Sequence, residues 1–177
     1  MFILASASAS RKGLLKGYKF RVVPSNAREV KRKTLRASVV TNAKLKAAAV
    51  AKLHPNEWVL AADTLIAYGG KVYGKPRDRK AAVRLWSLLA GKTHTLMTAV
   101  VLRKGDFKIV KVAESKVVVR ANPPIAKILK SLDPTRYAGG YRIKPKNDPL
   151  IERVEGSRTN VIGLPMELVE PLLRNLK

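Results

Sequence analysis

Trp58-Val59-Leu60-Ala61-Ala62-Asp63-Thr64-Leu65-Ile66-Ala67-Tyr68-Gly69-Gly70-Lys71-Val72-Tyr73 is the stretch on which the fold turns. A continuous apolar run, Trp58 to Ala62, resumes after Asp63 as Leu65-Ile66-Ala67-Tyr68, the pattern of a buried strand. Gly69-Gly70 then makes a hairpin turn into Lys71-Val72-Tyr73. Asp63 sits between the two runs, where an unpaired carboxylate costs several kcal/mol or stays protonated. Two explanations fit. Either the strand ends on a cleft in which cations or a metal stabilise the charge, or Asp63 is a turn aspartate or a buried partner of an arginine.

Outward from this stretch the chain alternates. On the N-terminal side, Phe2-Ile3-Leu4-Ala5 reads as a strand, followed by a Ser-rich turn and a helix carrying Leu14-Leu15. Phe20-Arg21-Val22-Val23 is a second strand that stops at Pro24-Ser25. Val40, Ala43, Ala47, Val50 and Ala51 then keep helical spacing over residues 37–53. On the C-terminal side, Ala81, Leu85, Leu88 and Leu89 keep helical period from Arg77 to Ala90, and Gly91 suits the position just past the helix end. Two long strands, Thr95–Leu102 and Phe107–Val119, flank Lys104-Gly105-Asp106. Asn122-Pro123-Pro124 opens a helix with Ile125, Ile128, Leu129 and Leu132 on one face. Residues 133–148 are rich in Pro and Gly and irregular. Leu150-Ile151 begins a short strand, Gly156-Ser157 is a turn, and Pro165 starts a last helix ending at Lys177. The class is α/β, a mixed β-sheet with flanking helices, with residues 1–177 forming one domain.

Composition narrows the chemistry. The 177 residues hold 36 Lys+Arg, 12 Asp+Glu, two His and no Cys, a net charge of +24. Without cysteine there are no disulfides or thiolate metal sites, and two lone histidines, His54 and His94, make an imidazole zinc site unsuited. A metal here would be hard, held by carboxylate, phosphate and water. No apolar run approaches the roughly 18–20 residues of a membrane span, and Met1–Lys12 is too short for a signal peptide, so a cytoplasmic location is expected. The basic excess implies polyanionic company. It is spread along the chain, with Arg28-Glu29-Val30-Lys31-Arg32-Lys33 the densest piece. Aromatics are 6%, and none is interleaved with a basic stretch as a base-stacking platform would require.

Several cations stand where an anion would be held. Ser6, Ser8 and Ser10 lead into a helix with Arg11 and Lys12 in its first turn, where basic side chains oppose the helix dipole and an external anion explains them. An ordinary serine N-cap is the plainer alternative. Lys46 lies on a helix of small residues, Ala43, Ala47, Ala48 and Ala49, that permit close packing beside a pocket. Gly74-Lys75-Pro76 is a stiff loop presenting one ammonium, although GxxxxGK[ST] is absent and this is no P-loop. Asn160-Val161-Ile162-Gly163-Leu164-Pro165 sets a backbone turn against the site or simply punctuates strand and helix.

Taken in order, these segments resemble the Maf family of nucleotide pyrophosphatases. The resemblance rests on Leu4-Ala5-Ser6-Ala7-Ser8 with Arg11, Glu29 after Pro24-Ser25, Ala43-Lys44-Leu45-Lys46-Ala47, Ala62-Asp63-Thr64 and Gly74-Lys75-Pro76. It continues through Ala90-Gly91-Lys92-Thr93-His94 with Thr98, Ala138-Gly139-Gly140-Tyr141, Glu155-Gly156 and Val161-Ile162-Gly163-Leu164-Pro165, so that it runs from residue 3 to about 173. It implies a fold like that of the inosine triphosphate pyrophosphatases, two lobes around a central cleft, and commonly a homodimer. It also implies Mg²⁺- or Mn²⁺-dependent hydrolysis of a nucleoside triphosphate to the monophosphate and pyrophosphate, with links to septum formation and nucleotide-pool housekeeping. By position, Ser6, Arg11, Lys46 and Lys75 are then the phosphate holders. Asp63 is the central carboxylate, as metal ligand or base, and Glu29 assists with the metal. Ser8, Thr64 and Lys144 are further substrate contacts.

The chain departs from the family pattern at four places. Ser-Pro-Arg-Arg reads Ser8-Ala9-Ser10-Arg11; a lysine before Ala-Gly is Tyr137; the glutamine of Tyr-Gly-Ile-Gln is Lys144 in Tyr141-Arg142-Ile143-Lys144; and the first member of an acid pair is Arg28. The resemblance implies dTTP, UTP, CTP or modified nucleotides as substrates, and Ala62-Asp63-Thr64 leans toward dTTP or UTP. The altered positions and the charge motivate an alternative, a catalytically weakened scaffold that binds nucleic acid through non-specific charge.

Overall fold

The computed structural model describes residues 1–174 and 176. The elements are β1 (Phe2–Leu4), α1 (Ala9–Leu14), β2 (Phe20–Val22), α2 (Leu35–Leu53), β3 (Val59–Tyr68), β4 (Lys71–Tyr73), α3 (Arg79–Leu89), β5 (Thr93–Lys104), β6 (Phe107–Val119), α4 (Ile125–Ser131), β7 (Ile151–Gly156), α5 (Arg158–Ile162) and α6 (Met166–Arg174). They form an α/β protein around one mixed sheet in the order β2-β1-β3-β5-β6-β7, with β4 paired to β3. β1 lies parallel to β2 and β3, and β3, β5, β6 and β7 are antiparallel in turn.

The opening stretch is the spine of this sheet, with one correction. Asp63 does not end the strand: β3 is continuous through it, Asp63 standing opposite Ala99 of β5. Ladder hydrogen bonds to a long partner hold the backbone straight whatever side chain it bears. Side chains alternate across the sheet, so Val59, Ala61 and Leu65 pack with Val39, Ala43, Ala47 and Val50 of α2. Leu60 and Ala62 point the other way, into a cluster with Leu15 and the α6 residues Met166, Val169 and Leu173. Further along the sheet, Ile66, Leu96 and Val117 pack with Trp86 and Leu89 of α3 and Ile128 of α4. The same alternation fixes Asp63 on the α2 face and Thr64 on the opposite one.

Helix limits follow local chemistry. Thr34 caps α2 by accepting from the Ala37 N–H, so the helix begins two residues before the hydrophobic period suggests. Asp78 does the same for α3 through the Ala81 N–H, and Gly91 follows that helix with φ 67°. Residues 133–148 hold only two short 3₁₀ turns. The Gly156-Ser157 turn leads into a short helix that hydrophobic spacing does not reveal, α5, capped by Ser157. The final helix spans Met166–Arg174; its expected continuation to Lys177 includes positions 175 and 177, outside the described residues.

Candidate active site

A cleft of about 460 Å³ opens beside the middle of β3. Ser6, Ser8, Arg11, Glu29, Lys46, Asp63, Thr64 and Lys75 all line it, so eight of the nine expected positions meet at one place. The exception is Lys144. It follows Arg142 by two positions on a segment whose Tyr141 and Ile143 are buried, and Arg142 takes the place on the cleft wall. Two residues of extended chain carry Lys144 roughly 7 Å further on. There its backbone N–H donates to Asp148 (2.7 Å) and its carbonyl accepts from Arg158 (2.8 Å).

The centre of the cleft is a carboxylate held by helix α2. Asn42 and Lys46, one turn apart, share the helix face that meets Asp63. Lys46 Nζ donates to Asp63 Oδ1 at 2.6 Å and to Glu29 Oε1 at 2.6 Å. Asn42 Nδ2 donates to Asp63 Oδ2 at 3.2 Å, while its Oδ1 accepts from the Val30 N–H at 2.8 Å. Asn42 therefore ties the Glu29 loop to the strand. Sequence reasoning missed it, although a polar residue one turn before Lys46 on the helix face that carries Val39, Ala43 and Ala47 was a usable signal.

The two carboxylates differ in kind. Asp63 is only 3% exposed, and burial pushes its carboxyl above the ordinary value, with Lys46 and Arg11 pulling against that and Glu29 adding to it. Hydrogen bonding to Lys46 does not fully offset desolvation. Glu29 is half exposed; burial is the largest single influence and raises it, but the hydrogen bond and charge of Lys46, with Lys75 and Arg11, together hold it below the usual carboxylate value.

Arg11 is fixed from three sides. Its Nε donates to the Gly163 carbonyl at 2.9 Å, one terminal nitrogen to Ser6 Oγ at 3.2 Å and the other to Thr64 Oγ1 at 3.1 Å. Thr64 is in turn 2.9 Å from Thr98 Oγ1, which donates to the Asn160 carbonyl at 3.1 Å. Burial lowers the guanidinium pKa below its ordinary value, and the fields of Asp63 and Glu29 oppose that. Gly163 has φ 122°, and a Cβ there would stand 3.4 Å from Arg11 Nε. Only glycine accepts that backbone without strain. Ser8 has a plainer task than a substrate contact alone, since its Oγ accepts from the Arg11 N–H and caps α1.

The far wall comes from the irregular segment. The Gly139 N–H donates to the Gly74 carbonyl at 3.0 Å, which sets the 138–140 turn beside Lys75. Gly139, at φ 68°, has Tyr141 Cε1 2.8 Å from where a Cβ would be. The Tyr141 hydroxyl lies 2.8 Å from Nε2 of buried His94. Burial holds the His94 pKa down to about 4 and raises that of Tyr141, so both are neutral near pH 7. Thr135, Arg136, Tyr137 and Arg142 complete this wall. The reading that no aromatic is interleaved with a basic stretch is corrected here: Arg136-Tyr137 and Tyr141-Arg142 each set a ring beside a cation, and both pairs line the cleft.

No cluster of three or more His, Cys, Asp or Glu side chains suited to a metal exists among the described residues. Glu29 and Asp63 are nevertheless hard oxygen donors on one cleft, joined through Lys46. That suits a Mg²⁺-type ion, which takes one or two carboxylates and completes its shell with substrate phosphate and water. The donor set fits in that mode.

Fold and site together define an α/β protein with a cation-lined cleft centred on a buried carboxylate. A family model described as Maf-like protein matches residues 1–176, and the chain belongs to the Maf family. It is similar to the dTTP/UTP pyrophosphatase of Myxococcus xanthus (strain DK1622), 37% identical across 94% of this chain and 87% of the relative. The dTTP/UTP pyrophosphatase of Latilactobacillus sakei subsp. sakei (strain 23K) is also 37% identical, across 99% and 100%. That of Pyrococcus furiosus (strain ATCC 43587 / DSM 3638 / JCM 8422 / Vc1) is 35% identical, across 97% and 93%.

Proposed function

We propose that this protein is a nucleoside triphosphate pyrophosphohydrolase that converts pyrimidine substrates of the dTTP/UTP kind to the monophosphate and pyrophosphate. The observation that carries the reading is the convergence of Asp63, Glu29, Lys46, Arg11 and Ser6 around one cleft, with Lys75 on its rim. Family membership and the names of the relatives supply the substrate class.

Each residue has a task that its surroundings suit. Ser6, Arg11, Lys46 and Lys75 bind the triphosphate, and Arg11 does so from a position fixed before substrate arrives. Such preorganised charge needs no reorganisation as negative charge moves onto the leaving group. Asp63 orients the attacking water and takes its proton, a role favoured by a carboxyl whose pKa burial has raised. The water oxygen bonds to the α phosphorus as the α–β bridging bond breaks, and the electron pair leaves with pyrophosphate. Thr64 contributes through Arg11, and Ser8 through the α1 cap. Glu29 and Asp63 would hold Mg²⁺ or Mn²⁺, which when bound neutralises phosphate charge.

The same reading includes a homodimer in the cytoplasm. No helix of the described residues is long and apolar enough to cross a membrane. The alternative, a retired scaffold that binds nucleic acid, lacks support at the centre of the cleft, where the cations and both carboxylates are in place.

A pyrophosphate-release assay with Mg²⁺ or Mn²⁺ over dTTP, UTP, CTP and purine triphosphates tests the proposal. Turnover highest with dTTP or UTP is expected. No pyrophosphate from any substrate, together with tight salt-sensitive binding of nucleic acid, would establish the alternative instead.

A further inference from the structure

The cleft is lined by two arginines beyond the cations assigned to the triphosphate. Arg11 and Lys46 are held in place by Ser6, Thr64, Gly163, Glu29 and Asp63, and each keeps N–H groups for the triphosphate. Arg136 and Arg142 also line the cleft, are exposed, and make neither an ion pair nor a side-chain hydrogen bond among the described residues. The nearest acid in sequence to Arg136 is Asp133, whose Oδ1 already accepts from the Thr135 N–H (3.1 Å) and hydroxyl (2.8 Å). The cations whose fields act on Glu29 are Lys46, Lys75 and Arg11. The two arginines belong to a different segment from the carboxylate centre.

Between them in sequence stand Tyr137 and Tyr141, both on the cleft wall. Tyr141 is fixed by His94 at its hydroxyl and by the close approach of Gly139 at its ring. Two exposed guanidinium groups and the half-buried Tyr137 ring on one wall match what the sugar–phosphate and base of a nucleotide chain require. A nucleoside triphosphate has no anion beyond its 5′ end, so it gives these arginines nothing to neutralise. A phosphate on the 3′ carbon does, through charge-assisted hydrogen bonds to the guanidinium groups.

We propose that Arg136 and Arg142 form a second anion subsite, which takes a phosphate ester on the 3′ side of the nucleotide whose 5′-triphosphate lies at Ser6, Arg11, Lys46 and Lys75. The inference rests on the proposed hydrolase reading of the cleft. The shared chemistry is a 3′-phosphoryl group, and it has two sources: a free 3′-phosphorylated nucleoside triphosphate, or the 5′-triphosphate end of an oligonucleotide.

The experiment compares UTP, 3′-phospho-UTP and the 5′-triphosphorylated dinucleotide pppUpU at one fixed ionic strength. It reads KM where a compound is turned over, or Ki against UTP where it is not. A 3′-phosphate is expected to tighten binding about tenfold relative to UTP, the size of one charge-assisted contact. In an Arg136→Ala/Arg142→Ala variant the ratio should fall to one. In Lys108→Ala/Lys111→Ala, which removes the same charge from two exposed positions of β6, the ratio should persist, which separates a site from general attraction. A gain with 3′-phospho-UTP alone identifies the free nucleotide as the source, and a gain with pppUpU identifies the oligonucleotide end. A ratio of one in the unmodified protein, its persistence without the two arginines, or its equal loss in both variants overturns the subsite alone. Failure to hydrolyse any triphosphate overturns the hydrolase reading and the subsite with it.

Discussion

The two walls of the cleft are built on opposite plans. On the side of β3 and α2, every charged group at the centre is tied: Asp63 to Lys46 and Asn42, Glu29 to Lys46, and Arg11 to Ser6, Thr64 and Gly163. On the side of residues 135–142, neutral contacts do the fixing, Tyr141 with His94 and the Trp86 N–H with the Gly139 carbonyl at 3.0 Å. There the charges of Arg136 and Arg142 are left free. A site that must stabilise a transition state needs its dipoles and charges fixed in advance. A surface that selects among ligands instead needs shape, with charge available on contact. The first wall is suited to the reaction and the second to the choice of substrate.

Substitutions at each wall should therefore fail differently. The largest effect is expected from Asp63→Asn, which removes the proton acceptor while keeping the shape. kcat should fall about 10³-fold, within the range for a general base. Because burial raises the Asp63 pKa, the charged form is disfavoured in the folded state above the unfolded pKa, and removing it relieves that penalty at neutral pH. The new amide faces the Asn42 amide, which works against the gain, so Tm should stay within about 4 °C of the parent. Thermal melts run beside the kinetics check this. Activity lost in step with folding would make Asp63 a structural residue and dissolve the contrast.

A smaller effect, seen in stability and not in chemistry, is expected at the second wall. His94 is 1% exposed and its pKa lies at about 4. Between the unfolded value near 6.5 and that value, the unfolded chain binds a proton that the folded chain refuses. Acidification through this window therefore removes stability, up to about 3 kcal/mol. In a His94→Gln variant that share of the acid sensitivity should vanish, so Tm should fall less between pH 7 and pH 4.5 than in the parent. An identical fall would mean that His94 is protonated in the folded state and that the second wall, too, relies on a buried charge.

Much of this architecture was legible in the sequence. β3 and its hairpin follow from two apolar runs and Gly69-Gly70, and the role of Asp63 as the odd carboxylate follows from its neighbours. Arg11, Lys46 and Lys75 were visible as cations in constrained settings. What the sequence hid are relations across the chain. Asn42 acts on Asp63 and Val30 at once, a pairing that only helix α2 lying on β3 creates. The tie between Arg11 and Gly163 spans 152 positions. α5 has five residues, too few for hydrophobic spacing to show. Lys144 stands as a contact by its place in the family pattern, but Arg142, two residues earlier on the same face, lines the cleft, and Asp148 and Arg158 hold the Lys144 backbone further along. The charge of +24 resolves similarly, into a few cations aimed at one cleft and many elsewhere on the surface.

The central claim is that this cleft delivers water to the α phosphorus and expels pyrophosphate. Hydrolysis of UTP in ¹⁸O-water, with both products analysed by mass spectrometry, tests it directly. The account predicts one ¹⁸O in UMP and none in pyrophosphate. Label in pyrophosphate, or release of orthophosphate in its place, would contradict it.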